Sequence, residues 1–170
     1  MRPEVPVVRE PDHSPRTRPA GKEDLPELVR LHELARRHVE GARGGAVLLG
    51  TDARPLPVDP SLHDDLADPS RTVVLGCLGE VPVGFAVAVV EHLHDGTPIA
   101  RIAELFVEEA ARGVGVGSAL MDWLQQWAVE QGCAGIGATV LPGDRASKNF
   151  FEGYGLVARA ILVHRDLEAG

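Results

Sequence analysis

A chain of 170 residues with 25 Asp and Glu against 17 Lys and Arg has a formal charge of −8, which argues against broad nucleic-acid binding, because that relies on clustered cations. No apolar run reaches the ~18 residues of a membrane span, and the N-terminus lacks the apolar core of a signal peptide, so a cytoplasmic protein of one domain is expected. The two cysteines, Cys77 and Cys133, each sit in an apolar stretch and read as buried thiols, not as a disulfide.

Residues 1–16 hold four prolines among mixed charges, with no helical or strand period. They read as a disordered leader ahead of a single domain over 17–168. In "RTRPAG" Pro19 pushes Arg18 toward extended geometry. Leu25, Leu28, Leu31, Leu34, Ala35 and Val39 then recur at three- and four-residue spacing, which predicts an amphipathic helix over 24–40. Asp24 is its expected N-cap, and Pro26 is tolerated in the first turn.

Residues 41–71 carry no clear period apart from a short helix expected at about 60–67. A substrate lid and a poorly ordered insertion fit this stretch equally. Strands follow at 72–78, 84–93 and 98–109, forming a meander whose second turn holds "HDGT". A helix over 115–131 has the stripe Val116, Ala119, Leu120, Trp123, Leu124, Trp127 and Ala128, and Gly132 stops it. "AGIGATVL" is read as a strand, "DRASKNFFEGY" as a helix and 156–167 as a final extended run. His92 and His94 share one side of a strand beside Asp95, but no third ligand stands at convincing spacing, so solvated histidines and no metal are expected.

Gly113, Gly115 and Gly117 stand at alternate positions directly before the 115–131 helix. A helix N-terminus offers unpaired N–H groups and partial positive charge, and glycine lets an anion approach the backbone. A P-loop needs Lys after its last glycine, and none follows here. The dinucleotide fingerprint G-x-G-x-x-G fails too, since its last position falls on Ser118 or Leu120. What remains is Arg112-x-x-Gly115-x-Gly117 between an apolar strand and an amphipathic helix, which suits either a phosphate cradle or a tight turn.

The stretch "AELFVEEAARGVGVGSAL" resembles the acetyl-coenzyme A motif of the GCN5-related N-acetyltransferase (GNAT) family. "DRASKNFFEGYGL" is similar to that family's second coenzyme-side helix, and "GKEDLPELVRLHELA" to its first helix. The resemblance covers residues 17–166. It implies an α/β (α+β) acyltransferase fold, with a mixed, mostly antiparallel sheet and splayed parallel strands flanked by helices. It also implies acetyl-CoA as cosubstrate and a small-molecule or peptide amine as acceptor, with homodimers common in the family.

Carried over by motif, the backbone of Arg112, Gly113, Val114, Gly115, Val116 and Gly117 would receive the phosphates, with Ser118 close behind. Leu105, Phe106 and Val107 would line the pantetheine arm, and the Val107 N–H would meet the thioester oxygen as it becomes an oxyanion. Asn149 would touch the same arm. Glu104 is the candidate general base, a role that needs a raised pKa supplied by burial. Phe151 stands among the coenzyme-lining positions where many members have a tyrosine that protonates the leaving thiolate, so Tyr154 or water would take that part. Two functions follow, an N-acetyltransferase working by direct attack in a ternary complex or an acyl-CoA-binding sensor with little or no transfer activity.

Overall fold

The computed structural model describes residues 13–165 and 167. Five strands, β1 (Pro15–Pro19), β2 (Arg71–Leu78), β3 (Val81–His92), β4 (Pro98–Val107) and β5 (Ile136–Ala138), form one sheet in sequence order. The first four are antiparallel, and β5 joins β4 in parallel. The helices are α1 (Leu25–Glu40), α2 (Gly45–Thr51), α3 (Asp59–Ala67), α4 (Val116–Glu130) and α5 (Arg145–Gly153).

The strand period of two divides the core between two faces. Val74, Ala86, Ala88 and Ile102 turn toward α4, where they pack with Val116, Leu120, Met121 and Leu124. Val73, Leu75, Phe85 and Val87 turn toward α1 and α3, against Leu28, Leu31 and Leu62. Phe85 through Ala88 are fully buried, because β3 is covered on both faces, and such a strand reads as a continuous apolar run. Parallel strands need a crossover, and α4 supplies it between β4 and β5.

The predicted elements recur with shifted ends. Most of the expected leader lies outside the described residues, but Pro15 and Arg16 already belong to β1, an edge strand where proline is tolerated. Asp24 does not cap α1 with its side chain; it accepts from the Gly21 N–H (2.8 Å) and is held by both Arg18 guanidinium nitrogens at 2.7 Å. The 41–71 stretch contains α2 as well as α3, with the left-handed Gly44 (φ 80°) opening α2. Cys77 is buried as expected, with burial pushing its thiol up, whereas Cys133 is only half-buried.

Two strand expectations change more. "AGIGATVL" contributes only Ile136–Ala138, since the chain diverges from β4 beyond that point. The final run expected over 156–167 forms no strand over the described residues 156–165, and Ile161 and Val163 are 84% and 86% exposed. No described helix is long and apolar enough to cross a membrane.

Candidate active site

The parallel pairing of β4 with β5 covers only Ala100, Arg101 and Ile102, so the remainder of β4 up to Val107 has an open edge on that side. On the other side the Glu108 N–H donates to the Val83 carbonyl (2.8 Å). Backbone groups alternate along a strand, so Leu105 and Val107 turn their N–H groups away from β3 and into the gap. Arg112 closes the end of this gap. Its Nε donates to the Val107 carbonyl (3.0 Å), and its guanidinium lies 5.9 Å from the centroid of the Phe106 ring.

The glycine loop follows directly. Gly113 (φ 80°) and Gly115 (φ 98°) both occupy the left-handed region, which is strained for other residues. Gly117 is helical, and a Cβ there would rest 3.5 Å from Phe150, an ordinary contact. The first bond of α4 runs from the Ala119 N–H to the Gly115 carbonyl (2.9 Å), leaving the N–H groups of Val116, Gly117 and Ser118 at the helix mouth without intrahelical acceptors. No side chain caps them. The Val116 side chain is fully buried in the core while Val114 and Ser118 are exposed, so the mouth is anchored from below and open above.

From α5, Tyr154 reaches the same mouth, its hydroxyl 3.4 Å from the Ser118 carbonyl and its ring 5.3 Å from Phe150. Phe151 points into the core, stacked edge-on against Phe150, and so offers almost no surface to a ligand. Phe150, its half-buried neighbour, faces Gly117 instead. Asn149 is exposed on α5.

Glu104 lies on the opposite face of the sheet from α4. The pairing of β3 with β4 slips between Val87 and Ala88, leaving Ala103 unpaired in a bulge beside Glu104. The Glu104 side chain is one-fifth exposed, accepts from Arg54 and sits 3.1 Å from His32 Nε2. Because a carboxylate only accepts, the His32 tautomer protonated at Nε2 fits, and its buried Nδ1 meets no partner among the described residues. Arg54 also binds Asp65 (2.7 Å), which Arg71 holds from its other side (3.2 Å).

Burial drives the Glu104 carboxyl up, but the His32 hydrogen bond and the Arg54 charge outweigh it, leaving Glu104 below its usual range. The raised pKa expected of a general base is therefore not what this geometry produces. Burial disfavours the Arg54 charge, and its two carboxylate partners more than restore it.

A family model described as the acetyltransferase (GNAT) family matches residues 34–156. The chain belongs to this family. Its fold is that of solved GNAT acetyltransferases. The aminoglycoside enzyme AAC(6')-Iy, bound to the bisubstrate analogue CoA-S-monomethyl-acetylneamine, superposes with a TM-score of 0.71 at 17% identity, over 91% of this chain and 99% of that one. The aminoglycoside acetyltransferase meta-AAC0020, from an uncultured soil metagenomic sample, gives 0.70 at 20% identity, over 95% and 100%. A protein described as a transcriptional regulator from Bacillus halodurans gives 0.69 at 22%, over 90% and 99%. No curated protein sequence matches.

In this GNAT domain the structure thus brings Leu105, Val107, Arg112–Ser118 and Tyr154 to one edge of β4, and sets Glu104 on the other face. His32 and Arg54 escaped the sequence reading. His32 lies on the apolar side of α1, between Leu28 and Leu31 on one hand and Ala35 on the other, and a polar residue within that stripe was the available signal. Arg54 lies in an aperiodic stretch and gave none.

Proposed function

We propose that this protein transfers an acetyl group from acetyl-CoA to an amine acceptor, by direct attack within a ternary complex. One observation carries the proposal: the open edge of β4 leads into the uncapped mouth of α4, so N–H groups of Leu105 and Val107 on the strand and of Val116, Gly117 and Ser118 at the helix mouth are left for a ligand, while those of Glu108, Ala111 and Arg112 are bonded within the chain. Such a row suits an anion at one end and an extended amide-bearing arm along the other. Acetyl-CoA, when bound, supplies the activated thioester. The Arg112–Gly117 backbone would hold its phosphates, with Ser118 behind, and Leu105, Phe106 and Val107 would line the arm.

The chain's own groups then have separate tasks. The Val107 N–H supplies a fixed dipole for the carbonyl oxygen as negative charge develops there. Glu104, kept ionised by Arg54 and His32, offers fixed negative charge to the acceptor's ammonium group, which gives its proton to water before the free amine attacks. Tyr154 places a hydroxyl donor beside the loop for the departing sulfur, while Phe151 supports α5 from the core. A cationic acceptor, of the aminoglycoside kind named for two of the structural neighbours, suits a chain of net charge −8.

A thermal unfolding scan with acetyl-CoA, using ATP and NAD as controls, tests the proposal. Ligand at a hundredfold over Kd adds about 2.7 kcal/mol, which raises Tm by roughly 5–10 °C for a domain of this size. A shift specific to acetyl-CoA, followed by thiol release on adding amines, is the expected outcome. Absence of a shift in the folded protein would reduce the glycine loop to a turn and remove the basis of the proposal.

A further inference from the structure

Glu104 has little acceptor capacity to spare, and Arg54 is the main reason. A carboxylate offers about four lone-pair positions, two on each oxygen. Arg54 fills both on Oε1, through Nε (3.1 Å) and Nη2. Oε2 faces His32 Nε2 at 3.1 Å, which takes a third. One position on Oε2 is left, on a side chain that is one-fifth exposed. Lysine at 54 would bring the charge without the planar fork that fills Oε1.

Arg54 also sets the charge of the site. Its Nη2 donates to Asp65 Oδ2 (2.7 Å), while Arg71 reaches Asp65 Oδ1 (3.2 Å) and Asp68 Oδ2 (3.5 Å). The row Glu104, Arg54, Asp65, Arg71, Asp68 therefore alternates in sign, with three carboxylates against two guanidiniums and one negative charge in excess. Arg54 stands on the connector between α2 and α3, and its side chain is buried. Breaking a buried pair is costly, so an incoming ammonium takes the vacant position on Oε2 and leaves Arg54 in place. That ammonium cancels the excess charge. A second cation close to it meets Arg54 and Arg71 with no carboxylate in the row left to balance it.

We infer that Arg54 is a specificity-determining residue of the acceptor site: it limits Glu104 to one hydrogen bond and the site to one excess charge, so the acceptor carries a single ammonium at its reacting end. This rests on the acetyl-transfer reading above and narrows the acceptor to a primary amine with uncharged neighbours, such as an amino alcohol. Cations farther away than the Debye length of about 8 Å are outside the reach of this selection.

Thiol release from acetyl-CoA with 4-aminobutan-1-ol and with butane-1,4-diamine tests this, because the two differ by a hydroxyl against a second ammonium. The quantity read is kcat/KM for the amino alcohol over that for the diamine, the latter halved for its equivalent ends. Both values come from one sample, so a lower folded fraction does not move the ratio. The unmodified protein should favour the amino alcohol by at least about fivefold. Arg54→Met, which leaves three carboxylates against one guanidinium, should shift the ratio at least about tenfold toward the diamine, mainly through KM. Arg54→Lys keeps the charge and should hold the ratio within about threefold of the unmodified value. Equal use of the two amines by the unmodified protein, or a preference for the diamine, overturns the inference and needs no variant to fold. So does an unmoved ratio in Arg54→Met, which would leave Arg54 a structural clasp alone, or a ratio that Arg54→Lys fails to hold. Release with neither amine while acetyl-CoA still raises Tm overturns the inference and spares the coenzyme reading, whereas no acetyl-CoA shift removes both.

Discussion

Replacing Arg54 by Met removes a charge while keeping most of the side-chain stem. The Arg54 side chain is only 7% exposed, and it bridges Asp65 (9%) and Glu104 (20%), so the change leaves two carboxylates in a low-dielectric site. Deleting one partner of a buried ion pair costs about 3–5 kcal/mol. His32 still bonds Glu104 and Arg71 still holds Asp65, which places the loss near the lower end, at about 3 kcal/mol. For a domain of this size that lowers Tm by roughly 6–12 °C.

The pH dependence follows from the direction of the Glu104 shift. Its folded pKa lies below the reference value of 4.5, so the stability it contributes is complete above 4.5 and is lost as pH falls through the lower folded value. Without Arg54, burial is opposed by His32 alone, and the folded pKa rises. The penalty in Arg54→Met should therefore shrink as pH is lowered from about 7 toward 4.5, where the orphaned carboxyl can take up a proton. Urea denaturation at the two pH values measures both effects. A loss under about 1 kcal/mol at neutral pH, or an identical loss at both, would refute the clasp as a buried electrostatic anchor.

The glycine loop separates backbone strain from ligand approach. Gly115→Ala (φ 98°) should cost about 1–2 kcal/mol of stability, whereas Gly117→Ala, in the helix, should be neutral or stabilising by up to about 1 kcal/mol yet reduce the acetyl-CoA thermal shift. Equal destabilisation by both would contradict the assignment. Glu104→Gln should lower kcat at least about tenfold with the pH profile near neutrality unmoved, and a displaced limb there would instead mark Glu104 as the titrating base. Tyr154→Phe should lower kcat by about tenfold, less than the usual acid contribution because a thiolate leaves readily; unchanged turnover would hand protonation to water. Asp144→Ala, which removes the cap bonds to the Ser147 N–H (3.0 Å) and Oγ (2.6 Å), should cost about 1 kcal/mol by chemical denaturation.

The sequence by itself determined the elements whose cause is local. The stripe of α4 stops where Gly132 stops it, and Gly113 and Gly115 are needed because the chain turns through positive φ there. The three-strand meander was legible because β-rich runs alternate with turn residues, and the order of motifs carried the acetyltransferase resemblance. Contacts between distant residues were decided only by the tertiary structure. Arg54 meets Glu104 fifty positions away, and that pairing reversed the direction expected for the Glu104 carboxyl: burial alone would have raised it. Phe151 and Phe150 are adjacent in sequence, yet the rotation of α5 sends one into the core and the other toward Gly117. Residues 157–163 carry strand propensity yet form no strand among the described residues, because a strand's stability lies in the neighbour it pairs with, which its own residues do not specify.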